Sequence, residues 1–148
     1  NVGFQTVSMV MVRDGHYRNQ IEKWVAALEA SFARKADARQ LEDVQLEIRI
    51  IGHSATLSAL ENAPGGGGEV GVMAIFTSPS QSRSTEAAKL LNPDLLHLPL
   101  TQHEPMPTFA FPFSPPEMER GALYEFCLHH TLTLDDPMSA FRLSIMES

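Results

Sequence analysis

The sequence is poor in cysteine and in basic residues, and it contains no long hydrophobic run. Its single cysteine, Cys127, excludes an internal disulfide and fits a reducing, cytoplasmic compartment. Eleven Lys and Arg residues against eighteen Asp and Glu leave a formal net charge of −7, so we expect neither nucleic acid nor an anionic membrane surface as a partner. No apolar stretch approaches the roughly 20 residues that a membrane-spanning helix requires. The chain also lacks a signal-peptide pattern and an initiator methionine.

The composition is that of a folded globular domain. Of the 148 residues, 43% are apolar and 20% are charged, which excludes wholesale disorder. A chain of this length buries roughly two thirds of its unfolded surface and can therefore build its own core. We interpret residues 1–148 as a single α/β domain. Because the sequence opens directly into an apolar run, we expect it to be the C-terminal domain or a fragment of a longer chain.

Three segments of the first half have clear periodicity. Residues 3–12 predict a mostly buried strand, because both alternating faces contain apolar side chains. Residues 17–34 predict a helix that begins near Asp14, and their apolar side chains recur at helical spacing and include Trp24 as a core anchor. Residues 44–51 alternate between apolar and polar side chains, which predicts a strand with one covered face.

The second half predicts two further strands and one helix. The glycine run 65–68 connects the preceding strand to a strand at 70–77, and residues 82–91 contain helix formers. A long last strand is predicted at 122–134, with a further short apolar segment at 141–146. The order strand, helix, strand, strand, helix, strand (β-α-β-β-α-β) is that of an α+β, ferredoxin-like split βαβ sandwich.

A proline-rich segment interrupts this pattern before the last long strand. Seven of the ten prolines lie in residues 92–116, which excludes a regular helix or a central strand there. The segment contains too many leucines and phenylalanines for a disordered linker. We therefore interpret residues 92–116 as an ordered loop that packs on the domain.

Six histidines raise the question of a metal site. No pair has the spacing of two ligands on one helix face, and the adjacent His129 and His130 point to opposite faces of the predicted strand. We therefore predict no metal and no cofactor. His130 lies on an apolar strand face, either as a core residue or as a group with a shifted pKa. Cys127 shares the other face with His129, but no orienting acid accompanies them.

Cationic and small residues offer candidates for binding an acidic ligand. The candidate binding residues are Arg13, His53, His97 and His130. Residues 52–56 are small and could present free N–H groups to a carboxylate or phosphate, or they form a simple turn. We place the end of the first strand and the end of the second strand at opposite ends of the sheet. We therefore expect Arg13 and His53 to lie apart.

Four motifs in the C-terminal half are similar to those of a known family. They are FAFPFSPP (residues 109–116), GALYEF (121–126), LHH (128–130) and a DDP motif followed by Phe141 (135–141). Together they resemble the closing segment of the acyclic terpene utilisation protein family, and weaker similarity extends upstream over nearly the whole chain. Two departures accompany the resemblance. The family has Asn where this chain has His129, and family members carry a longer N-terminal α/β region.

The resemblance implies a role in bacterial breakdown of acyclic isoprenoids, without assigning a reaction to named residues. One hypothesis is a domain that completes an enzyme active site together with the N-terminal domain of the same protein, and binds a branched carboxylate or an acyl-CoA thioester. The alternative is a homo-oligomerisation or interaction domain with no chemistry of its own. The positions of the phenylalanines of residues 109–113 and of His130 discriminate between them: a polar-lined pocket favours the enzyme, and a flat surface favours assembly.

Overall fold

The computed structural model describes residues 2–53, 68–126, 128, 133–142 and 144. This part of the chain has an α+β architecture in which helices cover one face of a four-stranded antiparallel sheet. Its elements are β1 (Gly3–Val12), α1 (Gly15–Arg18), α2 (Ile21–Ala38), β2 (Gln45–Ile51), β3 (Val70–Ser78), α3 (Gln81–His97), β4 (Glu117–Leu123) and a 3₁₀ turn (Pro137–Ala140).

The strands are arranged in the order β2-β3-β1-β4, and all neighbours are antiparallel. The pairing of β2 with β3 is the hairpin that the sequence predicts, while most of its connecting loop lies outside the described residues. Val12 pairs with Val70, and Ile51 pairs with Gly71. The strands β1 and β2 therefore run parallel to each other and end at the same end of the sheet.

The helical region after β1 is divided in two, whereas the sequence predicts one helix over 17–34. The Asp14 carboxylate accepts hydrogen bonds from the backbone N–H groups of His16 and Tyr17 at 2.8 and 3.3 Å, so the first helix begins beside Asp14 as predicted. Helix α2 then continues to Ala38. It ends in a Schellman arrangement, in which the Leu41 N–H bonds to the Ala36 carbonyl at 2.9 Å and Gln40 adopts a positive φ of 56°.

Helix α3 is longer than predicted, because it continues through Pro93 to His97. The expectation that residues 92–116 contain no regular helix is therefore wrong for their first six residues. Proline lacks an N–H and costs a helix one hydrogen bond, but tertiary contacts hold this turn: the Asn92 amide donates to Glu117 at 3.0 Å, and Leu95 is fully buried.

The last strand is displaced toward the N-terminus, so the predicted strand over 122–134 is wrong. Strand β4 spans Glu117–Leu123, and residues 124–126, 128, 133 and 134 lie outside any strand. The reason is the length of the neighbouring strand, since Leu123 already pairs with Gly3, the first residue of β1. Among the described residues, the pairing of β4 with β1 ends at Leu123. Of the predicted segment 141–146, the described residues are not in a strand either.

The core lies between the sheet and the two long helices. Trp24 and Leu28 of α2, and Ala88 and Leu91 of α3, are fully buried against one face of the sheet. Trp24 is thus the core anchor that the helical pattern predicts. The strand residues on this side, which we call the helix-side face, include Val10, Val12, Leu46, Ile48, Ile50, Val72, Ala74 and Phe76.

Candidate functional site

A surface cavity of about 350 Å³ opens at the start of α2. Its wall is formed by the residues that join α1 to α2 and by one histidine that follows β2. The lining residues are Arg18, Asn19, Gln20, Ile21, Glu22, Lys23 and His53. The cavity thus combines two segments that are far apart in the sequence, and we call it the α2 cavity.

The topology explains how His53 reaches this cavity. Gly52 closes β2 with a φ of +85°, a conformation that glycine adopts at no steric cost. The chain then turns His53 back toward the helix layer, where its Nε2 lies 3.3 Å from the Glu22 carboxylate. The start of α2 has no side-chain cap, because the Gln20 amide lies near the His16 ring at 3.4 Å instead of its own helix.

The electrostatics of the α2 cavity favour an anion. Arg18 and Lys23 are cationic at neutral pH, His53 becomes cationic on protonation, and Glu22 is the counter-charge among the lining residues. The first N–H groups of an uncapped helix carry a partial positive charge, which adds to this field. A carboxylate or phosphate group would find N–H donors and cationic side chains together there.

The four candidate binding residues do not form one site among the described residues. Arg13 is exposed just after β1, and His53 lines the α2 cavity. Since β1 and β2 end at the same end of the sheet, the expectation that these two residues belong to opposite ends is wrong. The parallel crossover between β1 and β2 is the physical reason, because it brings both strand ends to one side.

Of the other two candidates, only His97 lies within the described residues, and it does not line the α2 cavity. His97 lies in the last turn of α3, where its Nδ1 donates a hydrogen bond to the Pro107 carbonyl at 2.8 Å and fastens the proline-rich loop to the helix. His130 lies outside the described residues, as do Cys127 and His129. Within the described ranges, no three His, Cys, Asp or Glu side chains converge as metal ligands would.

The proline-rich loop has a structural role in the part nearest the helices. The ring of Phe109 contacts those of Tyr17 and Trp24 edge-on at centroid distances of 5.0 and 5.1 Å. The Trp24 indole N–H donates to the Leu98 carbonyl at 2.8 Å. Burial raises the pKa of the Tyr17 hydroxyl above its ordinary value. Phe109 therefore extends the core and does not line a polar pocket.

The second face of the sheet is largely apolar, and the described helices do not cover it. We call it the outer face. Its apolar side chains are Val7, Met9 and Met11 of β1, Ile51 of β2, Met73 and Ile75 of β3, and Met118 of β4, and it also carries the polar side chains Gln5, Gln45, Glu47, Arg49 and Thr77. Met9, Met11 and Met73 are half-buried, and Met118 is 43% exposed. Met9 folds across Gly71, where an added Cβ would lie 2.5 Å from its terminal carbon.

Sequence reasoning anticipated part of both regions. The sequence identified His53 and the alternation of β1, but it did not single out Arg18, Gln20 or Lys23. Their signal was the Asp14 cap at α1, which places residues 19 and 20 in a turn and so exposes the start of a second helix. The sequence indicated that Met9 and Met11 share a strand face without charged residues. It did not indicate that the described helices leave this face free.

Neither a protein-family model nor a curated protein nor a solved structure matches the chain. In the described part of the chain, no helix combines the length and the apolar character needed to cross a membrane.

Proposed function

We propose that this chain is an assembly domain, and that it forms homo-oligomers through the outer face of its sheet. In this proposal it is the C-terminal domain of a protein of the acyclic terpene utilisation type. It would contribute to the assembly of an enzyme of isoprenoid, branched acyl-CoA or carboxylate catabolism, in which the N-terminal domain of the same protein carries the main active site. The observation that carries the proposal is the methionine-rich outer face, which the described helices leave free.

The proposed fold is the ferredoxin-like split βαβ sandwich. The strand order β2-β3-β1-β4 supports it, with each crossover helix joining parallel strands that are separated by one antiparallel neighbour. Such a sandwich covers one sheet face with its two helices and leaves the other to a partner or to solvent. The same topology leaves β2 and β4 as the outermost strands of the described sheet.

The chemistry of the outer face favours a protein partner. Val7 and Ile75 are 7% and 6% exposed at its centre, yet neither belongs to the helix-side core. Methionine side chains flank them, and methionine is the flexible, polarizable side chain that adapts to an opposing surface. An apolar surface of this kind, with a polar margin, is typical of interaction sites.

The charges favour a second copy as that partner. The chain carries a net charge of −7, so two copies repel unless the contacting faces are neutral. On the outer face the central strands β1 and β3 contain no charged residue. At its β2 margin Glu47 and Arg49 form a pair at 2.6 Å and cancel each other. An isologous interface requires a self-complementary surface, and a neutral apolar one satisfies that condition.

Sedimentation velocity over a wide concentration range tests this proposal. The variant Met73→Lys places a charge at the centre of the outer face, and we expect it to weaken self-association by about tenfold or more, because a desolvated unpaired charge is costly at an interface. Met106→Lys is the matched control, since Met106 is 67% exposed in the proline-rich loop. A wild-type chain that stays monomeric at every concentration would overturn the proposal.

A second candidate function is the binding of a small carboxylate or acyl-CoA in the α2 cavity. The convergence of Arg18, Lys23 and His53 at an uncapped helix start supports it. We expect Lys23→Gln to reduce the affinity for 3-methylbutanoate and for coenzyme A, measured by calorimetry. Lys89→Gln on α3 is the matched control, because Lys89 lies away from the cavity. Equal binding by the two variants would argue against this site.

A further inference from the structure

A second cavity, of about 420 Å³, lies between α2 and the start of β2. We call it the β2 groove. Its floor is apolar and consists mostly of buried core side chains, and its rim is formed by three exposed acidic residues. The floor residues are Phe32, Ala33, Ala36, Leu41, Val44 and Leu46, and the rim residues are Glu29, Asp37 and Glu42.

The β2 groove is therefore complementary to an occupant that has apolar side chains and a positive charge. Its lining residues include three carboxylates and no Lys, Arg or His. The volume is sufficient for one or two large side chains, since it falls within the range of about 300–1,000 Å³ that is usual for ligand pockets. A neutral apolar ligand would leave the rim carboxylates without a counter-charge.

The chain itself contains a segment with this chemistry near its C-terminus. Met138 and Phe141 are 70% and 73% exposed, and Arg142 next to them is exposed as well. The Asp136 carboxylate accepts the Met138 backbone N–H at 3.0 Å and caps the 3₁₀ turn Pro137–Ala140, which defines the conformation of the segment. Two large apolar side chains are thus presented to solvent beside one cation.

We propose that the segment 138–142 of one copy docks in the β2 groove of a second copy, with Phe141 on the apolar floor and Arg142 at the acidic rim. Two copies that exchange these segments reciprocally form a closed dimer with two identical contacts. The groove is on the helix side of the sheet, so this contact does not depend on the outer face and stands or falls separately from the assembly proposed above.

Charge reversal tests the proposal without disturbing the core, because every residue changed is exposed. We expect Phe141→Asp, and separately Glu29→Lys with Asp37→Lys, to weaken self-association of the full chain by about tenfold, measured by sedimentation velocity. A mixture of the groove variant with Arg142→Glu should associate more strongly than either variant alone. In the mixed dimer one contact restores opposite charges by the double reversal, and the other contact keeps the charges of the wild type.

Matched controls separate this contact from general charge effects and from the outer face. Glu86→Lys on α3 reverses an exposed carboxylate outside the groove, and Met106→Asp introduces the same charge as Phe141→Asp elsewhere. Both should leave the association unchanged. If only Met73→Lys weakens association while the groove and segment variants do not, the docking is wrong and the outer-face assembly stands. If the segment docks in the groove of its own copy, the segment variants will leave the sedimentation of the chain unchanged, and this outcome would also overturn the proposal.

Discussion

The two faces of the sheet are built by the same strands and yet are buried to different extents. On the central strand β3, Val72, Ala74 and Phe76 are fully buried beneath the helices, whereas Met73 between them is half-buried on the outer face. Both sets are apolar, so hydrophobicity does not distinguish them. The difference teaches that covering by α2 and α3, and not strand composition, determines which face is the core.

The faces also differ in how they accommodate polar groups. On the helix-side face Thr6 is fully buried, and its hydroxyl lies 2.9 Å from that of Ser84 and accepts the Gln81 amide at 2.7 Å. On the outer face Thr77 is half-buried at the corresponding edge of β3. Buried polar groups need partners, and α3 supplies them to Thr6.

The largest expected effect comes from emptying the helix-side face. Phe76→Ala should lower the free energy of unfolding by about 3–5 kcal/mol, because it removes a fully buried ring and leaves a cavity. Met73→Ala, three positions earlier on the same strand and on its other face, should cost about 1 kcal/mol, since part of that side chain already contacts solvent. Urea denaturation of both variants measures the contrast, and equal losses would contradict it.

The polar contrast should be smaller. Thr6→Val should destabilise the chain by about 1–3 kcal/mol, because the Ser84 hydroxyl and the Gln81 amide lose a buried partner. Thr77→Val makes the same chemical change on the outer face and should shift stability by about 0.5 kcal/mol or less. Thermal unfolding monitored by circular dichroism compares them. A neutral Thr6→Val would show that this network adds nothing to stability.

The smallest contrast concerns the ion pairs at the margins of the two faces. Arg83 of α3 donates to the Asp43 carboxylate at 2.8 and 2.9 Å, and this hydrogen bond holds the pKa of Asp43 below its ordinary value. A lowered carboxyl pKa contributes stability above the unfolded pKa, and that contribution is lost as the pH falls through the folded one. Arg83→Gln should therefore destabilise the chain at neutral pH, and the difference from wild type should disappear in acid.

Arg49→Gln is the matched change on the outer face. Its partner Glu47 is two residues away in the same strand, so the pair joins no separate elements. We expect little effect on stability at any pH, measured by urea denaturation at a series of pH values. A pH-independent loss in Arg83→Gln would mean that packing of the Arg83 stem, and not its charge, stabilises the start of α3.

Local pattern identified most elements and little of the site. The alternation of residues 45–51 and the stripe around Trp24 are local signals, and both were interpreted correctly. Pro93 misled the prediction because proline is unfavourable in a helix by itself, whereas the Asn92–Glu117 hydrogen bond is a tertiary contact. The last strand was misplaced for a similar reason, since Tyr124 and its neighbours alternate well but lie beyond the end of β1.

The sequence by itself determined the α+β class, the apolar character of both faces of β1 and the identity of Trp24 as a core residue, because these depend on periodicity and side-chain volume. Only the tertiary structure decided that β1 and β2 end on the same side, that His53 lies beside the start of α2, and that the described helices leave one methionine-rich face free. Those outcomes depend on strand order and on crossover direction. Periodicity indicates neither of them, because it shows which residues share a face of a strand or helix and does not show which element packs against that face.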